Sequence, residues 1–405
     1  MVIPGTASLT WAVDAISPCT SPILERSDVT RVTRFVHFAL DGRAGIRYVY
    51  STEECASNHG AHIWHGRSFI MQDDEFEYGR TPRDPAHVRA PRFVTRLSAE
   101  RALLRDGETE KYLLAETEAL LHAAPDLEPS PHGAGGRPTP GPAFVHVMNV
   151  GQGDTIVVVF PDGHAWLTDS YFWRKQAFDG FVTWLREHHP GVKLRRLIIS
   201  HFHHDHIRSA VDALQEFAPA EVVVPGSRAH PTAATLRLLR ECATRGVLRV
   251  ARGACGAIVA GVSAVVLPTA DLVPPGTLTD DPNDHELVVI LRRGRSRAVL
   301  SGDVPGRILD RVSEHPFLDA GPGGGEGLYK VAHHCSRTGE SQALLAALRP
   351  TRAATSCGLR NRFEHPHDPP RGTIAGCVVP GGHEITFEVG SPLSYELTVA
   401  GIRRV

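Results

Sequence analysis

The segment His201-Phe202-His203-His204-Asp205-His206 places four metal-binding side chains, His201, His203, Asp205 and His206, within six positions, directly after the apolar run Leu197-Ile198-Ile199. Imidazole nitrogens and a carboxylate oxygen at that density can approach one small volume from several sides, which suits a borderline divalent ion such as zinc. The strand period fixes how they do so. With a buried strand ending at Ser200, His201 and His203 project to one side, whereas Asp205 and His206 fall in the turn before a helix from about Ile207 to Phe217. One pair then holds a first ion and the other pair a second, so two divalent ions are expected, zinc favoured and manganese the alternative. A solvated histidine-rich loop would need neither the apolar strand before it nor the amphipathic segment after it. The residues point to a metallohydrolase.

Other chemistry-bearing residues also end apolar runs. Asp303 follows Ala298-Val299-Leu300 with Gly302 just before it, so its carboxylate can emerge at the same sheet edge as His201. Capping a helix that begins near Pro305 is its structural alternative. Lys330-Val331-Ala332-His333-His334 brings imidazole to a further strand end, and a buried, hydrogen-bonded histidine is the alternative for whichever of the pair does not ligate.

These blocks resemble the metallo-β-lactamase superfamily. Phe144 to Thr155, with Gly151-Gln152-Gly153-Asp154, then Trp166-Leu167-Thr168-Asp169, look like the opening hairpin of the domain attached to ComEC-type DNA-uptake proteins. Asn283-Asp284, the strand Leu287–Leu291, Ser301-Gly302-Asp303, Lys330 to Ser336 and His365-Pro366-His367 follow in the order of that subfamily, so the resemblance covers residues 144 to about 400. Departures are Asn149 for Asp, Ser170 for Gly, Cys335 for Gly and Asp368 for Pro, and His203 where ComEC-type domains often carry Asp. The resemblance implies an α/β fold, the αββα four-layer sandwich, preceded here by a separate N-terminal α+β segment. It also implies that Asp303 bridges two ions and that His333 completes the second, with His334 beside it; which of the two ligates stays open. Asp169 is a further ligand or a support for one. The third ligand of the first ion is sought among Asn283, Asp284 and His285, with His230 a weaker candidate.

Two cations about 3.5–4 Å apart turn a bridging water into a nucleophile near neutral pH and stabilise charge at the attacked centre. Asp205 joins the catalytic set as a ligand, and His365 or His367 is positioned to protonate a departing alkoxide. Ser336 and Arg337 follow one ligand block, and Asn361 and Arg362 precede another, so a guanidinium can clamp a phosphate oxygen. The expectation is a phosphodiesterase or nuclease acting on nucleic acid or a small nucleotide. The alternatives are hydrolysis of a small ester (a cyclic nucleotide, a phosphocholine ester or a lactone) and a non-catalytic, metal-stabilised scaffold. A net charge of -2 gives no global pull toward polyanions, and no aromatic-basic stripe stands out.

The chain of 405 residues is long enough for two or three domains. Residues 124–143, rich in Pro and Gly, read as a linker between an N-terminal module of unknown type over 1–123 and a metallo-β-lactamase-fold domain over 144–405. The module ends in an expected amphipathic helix from Ser98 to Leu121, contains the strand-like run Ile46–Tyr50, and is assigned to docking a protein partner or gating substrate. Its Glu53, Glu54, Cys55, His59, His62 and His65 match no zinc spacing. No apolar run approaches the roughly 20 residues that cross a bilayer, the first residues lack a secretory pattern, and seven Cys without Cys-x-x-Cys fit a reducing cytoplasm.

Overall fold

A computed structural model describes residues 37–40, 46–55, 62–69, 108–128, 139–226, 232–274, 276–319, 324–389 and 391–405. It divides into two compact units, Met1–Arg105 and Asp106–Val405. In the first, His37–Leu40, Ile46–Cys55 and His62–Phe69 form an antiparallel three-stranded sheet that pairs Cys55 with His62 and Glu53 with Trp64. His59, and the side chains of the other residues in that histidine group, lie outside the described residues.

The second unit contains two sheets. One has eight strands, running from edge to edge Ile402–Arg404, Leu393–Leu397, Ala143–Val147, Ile156–Val159, His164–Thr168, Lys193–Ile198, Glu221–Pro225 and Leu248–Ala251. The other has seven: Cys255–Val259, Val262–Pro268, Leu287–Arg293, Ser296–Leu300, Glu326–Lys330, Pro350–Thr355 and His383–Ile385. Each sheet opens with antiparallel strands and continues with parallel ones. The scheme is therefore repeated in the two halves, as the alternation in sequence suggests.

Side-chain alternation explains the layering. Val145, Val147, Ile156, Val158, Trp166 and Ile198 of the first sheet meet Val262, Ala264, Val266, Val289, Leu291 and Leu300 of the second in one buried core. The opposite face of the first sheet, with Val157, Val159, Leu167, Leu197 and Ile199, is covered by Phe178, Phe181, Val182 and Leu185 of the helix Lys175–His188 and by the helices Ala210–Phe217 and Ala233–Thr244. Val288, Ile290, Val299 and Tyr329 on the far side of the second sheet bury against Ile308, Leu309, Leu344, Leu345 and Leu348 of the helices Gly306–Val312 and Gln342–Leu348. Because both faces of each sheet are covered, the strands read as nearly continuous apolar runs. The result is the αββα sandwich.

The helix that ends at Ala123 packs within the second unit. There Leu113 and Leu121 are buried and Arg240 pairs with Glu116 at 3.0 Å. The chain then runs along the last strand of the first sheet, Val250 donating to Pro125 O and Leu127 donating to Val250 O at 2.9 and 2.7 Å. The start of the Pro- and Gly-rich stretch is thus pinned by backbone hydrogen bonds, a use of Pro-flanked chain that composition does not reveal. Among the described residues, no helix is long and apolar enough to cross a membrane.

On the outer face of Ala143–Val147, His146 packs edge-on to Trp184 and its Nε2 lies 2.8 Å from His189 Nε2. Burial, with His189, His188 and Arg404 alongside, holds its pKa down at about 3. The folded value lies below the unfolded one, so only the unfolded chain takes up this proton in the window between, and stability is lost as pH falls from about 6.5. Urea unfolding at pH 7 and pH 5 should show a smaller acid loss in His146→Gln, by about 1.4 kcal/mol per pH unit below pH 6.5. An unchanged loss would remove His146 from the acid response.

Candidate metal centre

The ligand side chains sit where strands of both sheets end. Beyond Lys193–Ile198 the chain delivers His201 and His203, and the short helix His204–Ile207 carries Asp205 and His206. Ser296–Leu300 leads to Asp303, and Glu326–Lys330 leads to His333 and His334. Gly302 at φ +52 makes this convergence possible, since a Cβ there would stand 2.1 Å from Glu286 Oε2 and 3.0 Å from Ser200 Cβ.

Two ligand groups result. His201 Nε2 and His203 Nδ1 face each other at 2.9 Å. Beside them, Asp205, His206, Asp303 and His334 each offer one atom, all within 4.8 Å of one another. Asp303 Oδ2 lies 3.4 Å from His206 Nε2 and 3.5 Å from His334 Nε2, and His334 Nε2 lies 3.6 Å from Asp205 Oδ2. The His201 and His206 rings are 4.1 Å apart, so the two groups adjoin.

The chemistry of this set fits divalent cations. His206 Nε2, His334 Nε2 and Asp303 Oδ1 are buried with no hydrogen-bond partner. Each such atom costs about 1–3 kcal/mol if left unmet, and a cation in their midst would satisfy all three. The tautomers agree. His206 Nδ1 donates to Asp169 Oδ2 at 2.8 Å and His334 Nδ1 donates to Ser356 O at 2.9 Å, which turns both Nε2 atoms into the group, where a cation would take the place of a proton. Burial opposes charge on His206, yet the Asp303 and Asp169 carboxylates outweigh it and raise its pKa well above the ordinary value, so the site draws positive charge. Burial, with His206 beside it, holds His201 neutral with a pKa of about 3, the ligating form.

Behind the ligands lies a supporting layer. Asp169 accepts from the Ser200 N–H and Oγ–H, both at 2.7 Å, besides orienting His206. Glu286, fully buried, accepts from the Asp303 N–H at 2.9 Å, and its Oε2 is 3.5 Å from His201 Nδ1. Lys330 Nζ, also fully buried, donates to Asp154 Oδ2, and Ser356 Oγ donates to Asp154 Oδ1. Asp154 N in turn donates to Asp205 O at 3.1 Å. Burial would raise the Asp154 carboxyl, and the Lys330 ammonium with His334 and His206 reverses that and holds it below its usual range. His333, His334 and Cys335 all have positive φ, from 49 to 65°, a strained turn held by His333 N donating to Gly302 O and Ser336 N donating to His333 O.

Several expected roles change. His334, 1 % exposed, joins the ligand group, whereas His333, 25 % exposed, lies 3.9 Å from Asp303 and pairs with Thr338 Oγ1 through Nδ1. Asn283, Asp284 and His285 do not enter either group: Asp284 is held by Thr279 and Arg307, and His285 Nε2 by Thr279 O. The residue of that segment that reaches the site is Glu286. His230 lies outside the described residues. Asn361 is consumed in its own loop, its side chain bonding Gly358 O, His365 O and the N–H groups of Phe363 and His365. Ser336 caps the turn Arg337–Gly339 through Thr338 N, while Arg337 and Arg362 stand exposed at the rim.

His365 faces the ligands, 5.6 and 6.2 Å from the His333 and His334 rings. Gln152 Nε2 donates to its Nδ1 at 3.1 Å, which puts the ring proton on Nε2. Burial, with His334, His333 and His367 nearby, lowers its pKa to about 4. With the ring neutral at pH 7, its Nε2–H can donate a hydrogen bond. His367 Nδ1 accepts from Arg337 N at 3.2 Å. Asp154, Lys330, Gln152, Ser356 and Glu286 were not singled out by ligand chemistry, although the first three lie inside the motifs Gly151-Gln152-Gly153-Asp154 and Lys330-Val331-Ala332.

Removing one partner of the Lys330–Asp154 pair leaves a buried charge uncompensated. Lys330→Met should lower unfolding free energy by about 3–5 kcal/mol, with part recovered in Lys330→Met/Asp154→Asn, measured by urea denaturation. Equal stability of single and double variants would show that the pair does not couple the sheets.

No family model matches the chain. It is 25% identical over 250 residues to ComE operon protein 3 of Bacillus subtilis, covering 55% of this chain and 29% of that protein. Recombination protein 2 of Haemophilus influenzae is 26% identical over 224 residues, covering 55% of this chain and 25% of that relative. The chain thus spans less than a third of the length of these two relatives. Among solved structures, Igni18, a metallo hydrolase of Ignicoccus hospitalis, aligns over 63% of this chain and all of its own with 16% identity and a TM-score of 0.40. With its ordered motifs, its two-sheet sandwich and its ligands at the strand ends, the chain is ComEC-like in sequence and carries the metallo-β-lactamase fold.

Proposed function

We propose that this metal-dependent hydrolase is a phosphodiesterase that uses two divalent ions, zinc favoured and manganese the alternative, and that its substrate is nucleic acid. The observation that carries the hydrolase reading is the gathering of His206, His334 and Asp303, whose Nε2, Nε2 and Oδ1 atoms are buried without a hydrogen bond, beside the partly open Asp205, whose side chain is 31 % exposed. When bound there, divalent ions supply Lewis-acid stabilisation of charge and lower the pKa of water.

The chain's own groups do the rest. Asp205 and Asp303 balance the positive charge, Asp169 and Glu286 fix ligand orientation from behind, and the Nε2–H of His365 donates a hydrogen bond toward the open side. Arg337 and Arg362 at the rim supply guanidinium groups suited to phosphate oxygens. The name of one relative, a recombination protein, favours nucleic acid over a lactam or a lactone. Five free cysteines among the described residues suit a reducing compartment such as the cytoplasm, and residues 1–123 are the proposed place for a protein partner.

The test is hydrolysis of bis-p-nitrophenyl phosphate and of single-stranded DNA by the full chain loaded with zinc or manganese. Both should be cleaved, a chelator should abolish turnover, and Asp303→Asn and His334→Ala should each lose at least about a hundredfold in kcat/KM. Full activity in either variant sinks the assignment. Cleavage of the small ester alone removes nucleic acid as substrate.

A further inference from the structure

Two aromatic side chains stand out among the described residues because they are exposed: Trp173 at 61 % and Phe363 at 45 %. Each carries an arginine, and each connects to the candidate ligands through one intervening side chain or two. The Arg208 guanidinium lies 4.7 Å from the Trp173 ring, and the Arg362 guanidinium lies 4.7 Å from the Phe363 ring.

Each pair leads inward to the ligands in one or two steps. Arg208 Nη1 is 3.2 Å from His204 Nε2, His204 precedes Asp205, and the Tyr171 ring stands edge-on to His204 at 6.1 Å. On the other side, Phe363 stacks on His365 with ring planes 25° apart and centroids at 5.7 Å, and His365 faces His333 and His334. The loops that carry the two rings are anchored by bonds spent on shaping them. Ser170 N donates to His206 O, Phe172 N donates to Ser209 Oγ, and Asn361 ties together the turn before His365.

Leaving an indole largely in water gains nothing for folding, since burying a large aromatic side chain contributes about 1.5–3 kcal/mol. A flat ring with a cation at one face matches a different need. It offers a stacking surface for a heteroaromatic base and, next to it, a positive charge for the phosphate that base carries.

We infer that Trp173 with Arg208, and Phe363 with Arg362, are stacking platforms for unpaired nucleobases on either flank of the scissile phosphodiester. This deepens the phosphodiesterase reading and rests on it for the position of the scissile bond. It also answers the near-neutral charge of the chain: affinity comes from ring faces and a few local guanidinium groups and not from a broad basic surface. Bases paired in a duplex keep their faces stacked on each other, so the platforms select single strands.

The experiment compares a fluorescent ten-residue oligothymidylate with an abasic strand of the same length and phosphate number. Binding to the full chain is read by anisotropy with calcium as the ion, and strand integrity is checked on a gel. The wild-type chain should bind the base-bearing strand at least about fivefold more tightly. Trp173→Ala/Phe363→Ala should bind the two strands alike, and its retained affinity for the abasic strand serves as the control for folding. Equal affinities in the wild-type chain, or a preference that survives the double substitution, overturns the inference. Turnover of bis-p-nitrophenyl phosphate by the wild-type chain is read separately. A base preference without turnover keeps the platforms and sinks the phosphodiesterase, whereas turnover without a base preference does the reverse.

Discussion

A buried ammonium ties the two sheets together beneath the ligands. Lys330 ends a strand of one sheet, Asp154 lies in the turn before a strand of the other, and neither is exposed. Asp154 also accepts from Ser356 and donates its N–H to Asp205 O, while Lys330 Nζ reaches Gly302 O at 3.4 Å, the carbonyl that receives the His333 N–H. Every ligand-bearing segment beyond the first two histidines is therefore within one hydrogen bond of this pair. Such a pair brings little net stability over an apolar contact, but it specifies one arrangement of the strands that meet there. Here that arrangement is the ligand geometry.

The site concentrates carboxyl groups and imidazoles. Asp169, Asp205, Asp303 and Glu286 surround four imidazoles, with Lys330 the one buried ammonium among the described residues of the cluster. Burial and the neighbouring Asp303 push the Glu286 carboxyl well above its usual range, and the carboxylates raise His206 and His334 against their burial. Protons and cations compete for the same atoms. The left-handed turn at His333, His334 and Cys335 adds local strain at the same place.

The layers were legible in the sequence because strand alternation and apolar runs survive in any environment. The motif was legible because its four side chains are adjacent in the chain: Asp205 and His206 fall in the group with Asp303 and His334, and His201 and His203 face each other beside it. What was not legible depended on backbone shape and long-range contact. The placing of His334, and not His333, beside Asp205, His206 and Asp303 goes with three consecutive positive φ values, which only Gly would have announced, and Cys335 conceals the turn. Asp284 and His285 bear ligand-type side chains but are turned toward Thr279, while Glu286, one residue on, points into the site. The packing of Glu108–Ala123 against Ala233–Thr244, residues far apart in sequence, is likewise a long-range contact that local pattern does not show.

The central claim is that strand ends from two sheets build a paired cation site, and locating the ions tests it most directly. Anomalous difference maps from crystals soaked in manganese, and separately in zinc, should show one peak among Asp205, His206, Asp303 and His334. A second peak should lie at His201 and His203, with Asp303 between the two. Maps with no peak at these residues, or with ions held only elsewhere on the chain, would contradict the account.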